Sequence, residues 1–161
     1  MDCGERGELM RGLGRLAALS ATPEFAGLAP ANRAVLAAAM REERFAAGET
    51  VVAEGEFADR LFVLCEGEVE IVQREMPERR QRLGRGALLG ELAFFGDRTR
   101  TATVLAVADC VFLSLSYTTF REFLLANPES ALHLAERIAH KLSAVEAELT
   151  AALQRLAAAS R

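Results

Sequence analysis

Residues 89–104 read LGELAFFGDRTRTATV, and the rest of the chain is arranged around them. Gly90-Glu91-Leu92-Ala93 has the form of a glycine opening a short helix. Arg100-Thr101-Ala102-Thr103-Val104 has the form of a basic turn feeding a buried strand. The start of a helix presents unpaired backbone N–H groups and the positive end of the helix dipole, and so attracts an anion. Arg100 can fold back to the same point and pair with a phosphate in a forked geometry. A carboxylate at Glu91 would repel that phosphate unless it accepts a hydrogen bond from a sugar hydroxyl and is neutralised by Arg100. Together these parts describe a pocket for a ribose joined to one compact phosphate.

The stretch resembles the phosphate-binding cassette of the cyclic nucleotide-binding domain family, usually written FGE-L-A-L, a short spacer, then PR-A-A-T-V. Gly90, Glu91, Leu92, Ala93, Arg100, Ala102, Thr103 and Val104 match without a gap; Leu89 stands where Phe is usual and Thr99 where Pro is usual. Unlike a lone glycine motif, this match keeps both residue types and spacing. The resemblance implies a phosphate and ribose site at Gly90, Glu91, Leu92, Ala93, Arg100 and Thr101, with cAMP or cGMP as ligand and no cofactor or metal.

Outward from this motif the chain alternates short apolar runs with glycine, Asp and Pro signals, the pattern of a small jelly-roll-like β-barrel. Strands are expected at 45–49, 50–56, 61–65, 68–72, before Leu83, at 101–107 and at 110–115, with a polar turn at 75–80 around Pro77. Leu61 to Cys65 is nearly continuous in apolar residues, as in a strand buried on both faces. In 68–72, Val69 and Ile71 should face inward and Glu68 and Glu70 face water. The glycine corners at 48, 55 and 67 also resemble the family's barrel, so the likeness extends over roughly residues 22–145.

Helical signals flank the barrel. Leu9, Leu13, Leu16 and Leu19 suggest a loosely held lead-in helix weakened by Gly7, Gly12 and Gly14. Thr22-Pro23 reads as a helix start with Thr22 as its cap, Pro30 or Asn32 as another. Ser116 caps a helix that Asn127-Pro128 ends, and a long helix runs from Glu129 to about Ala158. The expected fold is therefore mainly β with flanking helices, an α+β arrangement: a lead-in helix (1–21), a barrel with flanking helices (22–126) and a long C-terminal helix (127–161).

Ile138, Leu142, Val145, Leu149, Ala152 and Leu156 repeat at alternating spacings of 4 and 3, a heptad seam. A helix of about thirty residues spans roughly 45 Å, more than a small barrel can cover. The expectation is a homodimer through Ile138, Leu142, Val145, Leu149 and Leu156, against the alternative of a helix folded back on its own barrel. In the catabolite-activator branch that the chain resembles, this helix dimerises and closes over the base. A Thr and a Ser that contact adenine there fall on Val145 and Glu146, and Leu83 completes the implied base contacts. Glu146 could accept hydrogen bonds from guanine, and Thr101 matches members that bind cGMP, so both nucleotides stay open.

Composition bounds the rest. At 161 residues, 51% hydrophobic and 26% charged, the chain suits one globular domain. A net charge of −4 argues against sequence-independent nucleic-acid binding. The three cysteines, Cys3, Cys65 and Cys110, form no CxxC or Cys/His cluster, and Cys65 and Cys110 read as small buried hydrophobes in a reducing compartment. No leader or membrane-spanning run is visible, which implies a cytoplasmic protein without membrane attachment. His133 and His140 lack the neighbours of a catalytic site, so no enzyme is expected. The sequence ends at Arg161, short of the helix-turn-helix domain of related transcription factors, so no direct DNA binding is expected. The implied function is a stand-alone cyclic nucleotide sensor that signals through its C-terminal helix to an unknown effector protein. The alternative is a dimeric scaffold whose fold no longer binds nucleotide.

Overall fold

The structure, a computed structural model, describes residues 3–160, with side chains from residue 11 onward. Three helices lead in: α1 (Cys3–Ser20), α2 (Pro23–Ala26) and α3 (Pro30–Ala39). Eight strands follow: β1 (Arg41–Phe45), β2 (Thr50–Val52), β3 (Arg60–Glu66), β4 (Val69–Gln73), β5 (Met76–Leu83), β6 (Leu88–Leu89), β7 (Thr103–Ala106) and β8 (Cys110–Ser116). The short α4 (Glu91–Phe95) interrupts them, and α5 (Tyr117–Ala126) and α6 (Pro128–Ala159) close the described chain. The strands form two antiparallel four-stranded sheets, ordered β1-β8-β3-β6 and β2-β7-β4-β5, the expected jelly-roll-like fold.

Strand β3 explains how the layers hold together. Phe62 and Leu64 point into the core between the two sheets with Val69, Val104, Ala106 and Phe112. Leu61 and Val63 point the other way, into a second core with Leu19, Phe25, Leu36, Phe120 and Leu134 from the helices. Successive strand residues face opposite sides, so a strand covered on both sides must be apolar throughout, as Leu61 to Leu64 is. β8 repeats the arrangement, with Phe112 toward the sheets and Leu113 and Leu115 toward the helices. Each fully buried Leu or Phe contributes roughly 1.5–3 kcal/mol of transfer free energy, so this two-sided wall is the main stabilising element.

Several boundaries differ from the sequence expectation. The first strand lies at Arg41–Phe45, and 46–49 is a turn: Glu49 N donates to Ala46 O at 3.0 Å and Ala46 N to Glu49 Oε2 at 2.7 Å. Its charged residues hid β1, which is a strand through its pairing with β8 rather than through its own apolar content. Pro77 lies inside β5, and the turn falls at Arg74-Glu75. β5 is the edge of its sheet, where a missing N–H costs no ladder bond. Glu70 does not face open water. Its side chain is 13% exposed and is paired with Arg80 at 2.8 Å across to β5. The two-residue β6 was too short to show a period. Thr22 does precede α2, but its hydroxyl donates to Ala18 O at 3.0 Å and makes no cap.

α1 begins at Cys3; Leu19 is buried, Leu16 half-buried and Leu13 exposed, and Leu9 lies outside the described side chains. Ser116 caps α5 as expected, accepting from Thr119 N at 3.2 Å. α6 has two parts. Its first turns dock on the helical layer: Leu134 and Ser130 are buried, Asn32 Nδ2 donates to Ser130 Oγ at 3.0 Å, and the His133 ring fills the space a side chain at Gly27 would need. From Leu142 on, its apolar stripe is open: Leu142, Val145, Leu149, Leu153 and Leu156 are 58–65% exposed.

Candidate functional site

A cavity of about 800 Å³ opens between the inner face of the β2-β7-β4-β5 sheet, the residue 86–93 segment and α6. Its floor is built by Gly90 and Arg100. Gly90 sits at φ +96°, a left-handed conformation that turns β6 into α4. A Cβ there would stand 2.8 Å from Arg100 Nη1 and 3.1 Å from Arg60 O, so the glycine is also what lets the arginine pass underneath.

Arg100 is 7% exposed. Its Nη2 donates to Arg60 O at 2.9 Å, its Nη1 stands 3.5 Å from Tyr117 Oη, and the guanidinium lies 5.7 Å from the Phe62 ring centroid. Tyr117 Oη in turn donates to Gly90 O at 2.5 Å. Among the described residues no carboxylate lies within ion-pair distance of Arg100. A buried cation held only by neutral groups retains a desolvation cost of several kcal/mol, which an anion seated against it would offset.

Glu91 is not neutralised by Arg100, contrary to the sequence expectation. Its partner is Lys141 on α6, with Nζ 3.4 Å from Oε1. The arginine is turned away beneath Gly90, and α6 brings the lysine over the cavity in its place. Burial pushes the Glu91 carboxyl above its ordinary range, opposed by the Lys141 charge and the residue's own backbone N–H. Lys141 also forms an ion pair with Glu24 of α2. Burial pulls the ammonium down, but the Glu24 hydrogen bond and the Glu91 charge outweigh it and hold Lys141 above its ordinary value.

The cavity brings together Gly90, Glu91, Leu92, Ala93, Arg100, Thr101, Leu83 and Val145 from the residues singled out in the sequence. Leu92 and Thr101 are exposed on its wall, and Thr101 O accepts from Gln73 Nε2 at 3.3 Å. Glu146 is exposed and is not part of the wall formed by this single chain. Sequence reasoning missed Glu24, Tyr117 and Lys141. Lys141 did carry a signal: it is the only lysine among 19 basic residues, at helical spacing between Ile138 and Val145. Among the described residues no cluster of ligating side chains could hold a metal ion, and no helix is long and apolar enough to cross a membrane.

This geometry agrees with likeness to known proteins. The chain is 30% identical over 122 residues to a CRP-like cAMP-activated global transcriptional regulator of Mycobacterium tuberculosis, covering 73% of this chain and 54% of that protein. It is 32% identical over 106 residues to a cAMP-dependent protein kinase regulatory subunit of Aspergillus fumigatus, covering 66% of this chain and 26% of that one. The chain thus spans about half or less of the length of these curated relatives. Among solved structures, the N-terminal domain of a transcriptional regulator from Streptomyces coelicolor A3(2) superposes with a TM-score of 0.68 at 32% identity, covering 81% of this chain and 93% of that one. A family model, the cyclic nucleotide-binding domain, matches residues 42–127. With its cassette, two-sheet barrel and cavity in place, the chain belongs to the cyclic nucleotide-binding domain family.

Proposed function

We propose that the chain is a regulatory module that binds cAMP or cGMP in this cavity and transmits occupancy through α6 to a partner protein. The observation that carries the reading is Arg100: a buried guanidinium without a carboxylate partner among the described residues, at the floor of a cavity that also holds Glu91. The cyclic phosphate would take the guanidinium and the free N–H groups at the start of α4, and Glu91 would accept from the ribose 2′-OH. Leu83 and Val145 would flank the base. α6 forms part of the cavity wall through Ile138, Lys141, Leu142 and Val145, so a ligand that fits one helix position better than another shifts the helix.

The exposed stripe from Leu142 to Leu156 supports a homodimer through α6, which is the seam the heptad spacing describes. A thermal-shift series with both nucleotides tests the binding function. Ligand at a hundred times its Kd adds about 2.7 kcal/mol to stability. A midpoint that neither nucleotide moves would favour the other reading, a dimeric scaffold without nucleotide, to which the loss of a hydroxyl at Val145 lends some support.

A further inference from the structure

Nineteen basic residues include one lysine, Lys141, and its ammonium enters the cavity. Two carboxylates share that ammonium. Glu24, in α2, forms an ion pair with it, and Glu91 stands 3.4 Å away, near the outer limit of a hydrogen bond. Glu24 is itself only 3% exposed, and its Oε2 is buried with no hydrogen-bond partner among the described residues. A buried carboxylate left half unsatisfied is costly. Glu24 is the acidic residue in the first turn of α2, where the helix dipole offsets only part of that cost.

The cost is explained by what Lys141 would do without Glu24. All of its charge would fall on Glu91, and the long contact would tighten into a full charge-assisted bond. A sugar hydroxyl donating to Glu91 would then have to displace an ammonium. We propose that Glu24 is a positioning residue that draws Lys141 off Glu91 and so keeps the Glu91 carboxylate open to a ribose hydroxyl. This rests on the reading of Glu91 as the ribose acceptor. It makes α2, which lies outside the family-matched residues 42–127, a working part of the binding site.

The test compares binding of cAMP and cGMP with their 2′-deoxy analogues, which lack the hydroxyl, in wild type, Glu24→Gln, Lys141→Met and the double variant. Glu24→Gln weakens binding of the ribonucleotide about tenfold and of the deoxy analogue by less than about twofold, the scale of one charge-assisted hydrogen bond. In the Lys141→Met background the same substitution has no effect on either ligand. Glu24→Asp, which keeps the charge with a shorter reach, falls between wild type and Glu24→Gln. Equal losses for both ligands, or a loss that persists without Lys141, would overturn the proposal.

A second arm needs no nucleotide. Since Lys141 is the only lysine, acetylation of the ligand-free protein by an amine reagent, followed by mass spectrometry, reports on it alone apart from the chain terminus. In a Glu91→Gln background, where no second carboxylate can take over the ammonium, Glu24→Gln should speed modification at Lys141 several-fold, because its remaining anion is gone. An unchanged rate shows that Glu24 is not the anchor and sinks the proposal by itself. A wild type that binds ribo and deoxy ligands equally instead sinks the reading of Glu91, and the proposal with it.

Discussion

The floor and the roof of the cavity are held by different means. At the floor, Arg100, Gly90 and Tyr117 are tied to one another and to the backbone of β3, and β3 is packed on both faces. At the roof, α6 is anchored by Ser130, His133 and Leu134 near its start and by the Lys141 ion pairs, and then runs free with its apolar stripe exposed. A floor over-determined by packing is fixed in shape, and on the proposed function its demand is one anion and one hydroxyl. Beyond those packed first turns the roof is held by a few polar contacts and can move, because no close-packed layer must be broken to shift it. On the proposed function, the class of ligand would be set by the part of the molecule that cannot change, and the output by the part that can.

The sharpest way to break this contrast is to remove the floor's cation. Arg100→Ala should weaken cyclic nucleotide binding about a hundredfold or more, roughly 3 kcal/mol for a buried charge pair, measured by calorimetry. If affinity survives, the anchor is elsewhere. At the roof, Leu149→Glu should raise the dissociation constant of a dimer about a hundredfold by placing a charge in an apolar seam, read as a monomer by light scattering. It should leave nucleotide affinity almost unchanged, since Leu149 is no part of the cavity wall. A dimer that withstands it is held by another surface.

A smaller effect tests the base. Val145→Thr adds a hydroxyl to the cavity wall and should shift the balance between cAMP and cGMP by about fivefold, the worth of one hydrogen bond near 1 kcal/mol. Glu146→Ser should shift it less within a single chain, because Glu146 is outside that wall. The reverse order would move the base contact onto Glu146. The smallest effect concerns pH. Lys141 has a folded pKa raised above its ordinary 10.5, so its stabilisation is complete below that value and is lost as pH rises through the folded pKa. Wild type should lose more of its melting temperature than Lys141→Met over that alkaline window. Lys141 is half exposed, so solvent screening keeps the difference small.

What could be read in the sequence follows the same division. The floor was legible because its geometry needs particular residue types at fixed spacing: a glycine for the positive φ, an arginine to pass beneath it, and a buried strand to follow. β3 was legible because burial on both faces leaves no room for polar residues. β1 was not, since five residues with four charges become a strand only by pairing with β8. The partner of Glu91 was hidden for a similar reason. Arg100 is close in sequence and Lys141 is remote, and only the path of α6 over the cavity decides between them. Glu24 looked like an ordinary acidic residue at a helix start, and its burial comes from elements far along the chain.

β5 bears on assembly. An exposed edge strand is a template on which a second chain can extend the sheet. Here the edge contains Pro77, which offers no N–H, and carries Arg79, Arg80 and Arg82, so an approaching copy of the same strand meets like charge. Glu70 on the neighbouring β4, and Glu68 just before it, balance Arg80 and Arg82 and are already engaged. Sheet-to-sheet growth is discouraged at this edge, which accords with the proposed meeting of two copies through the exposed leucines of α6 in a closed, countable assembly.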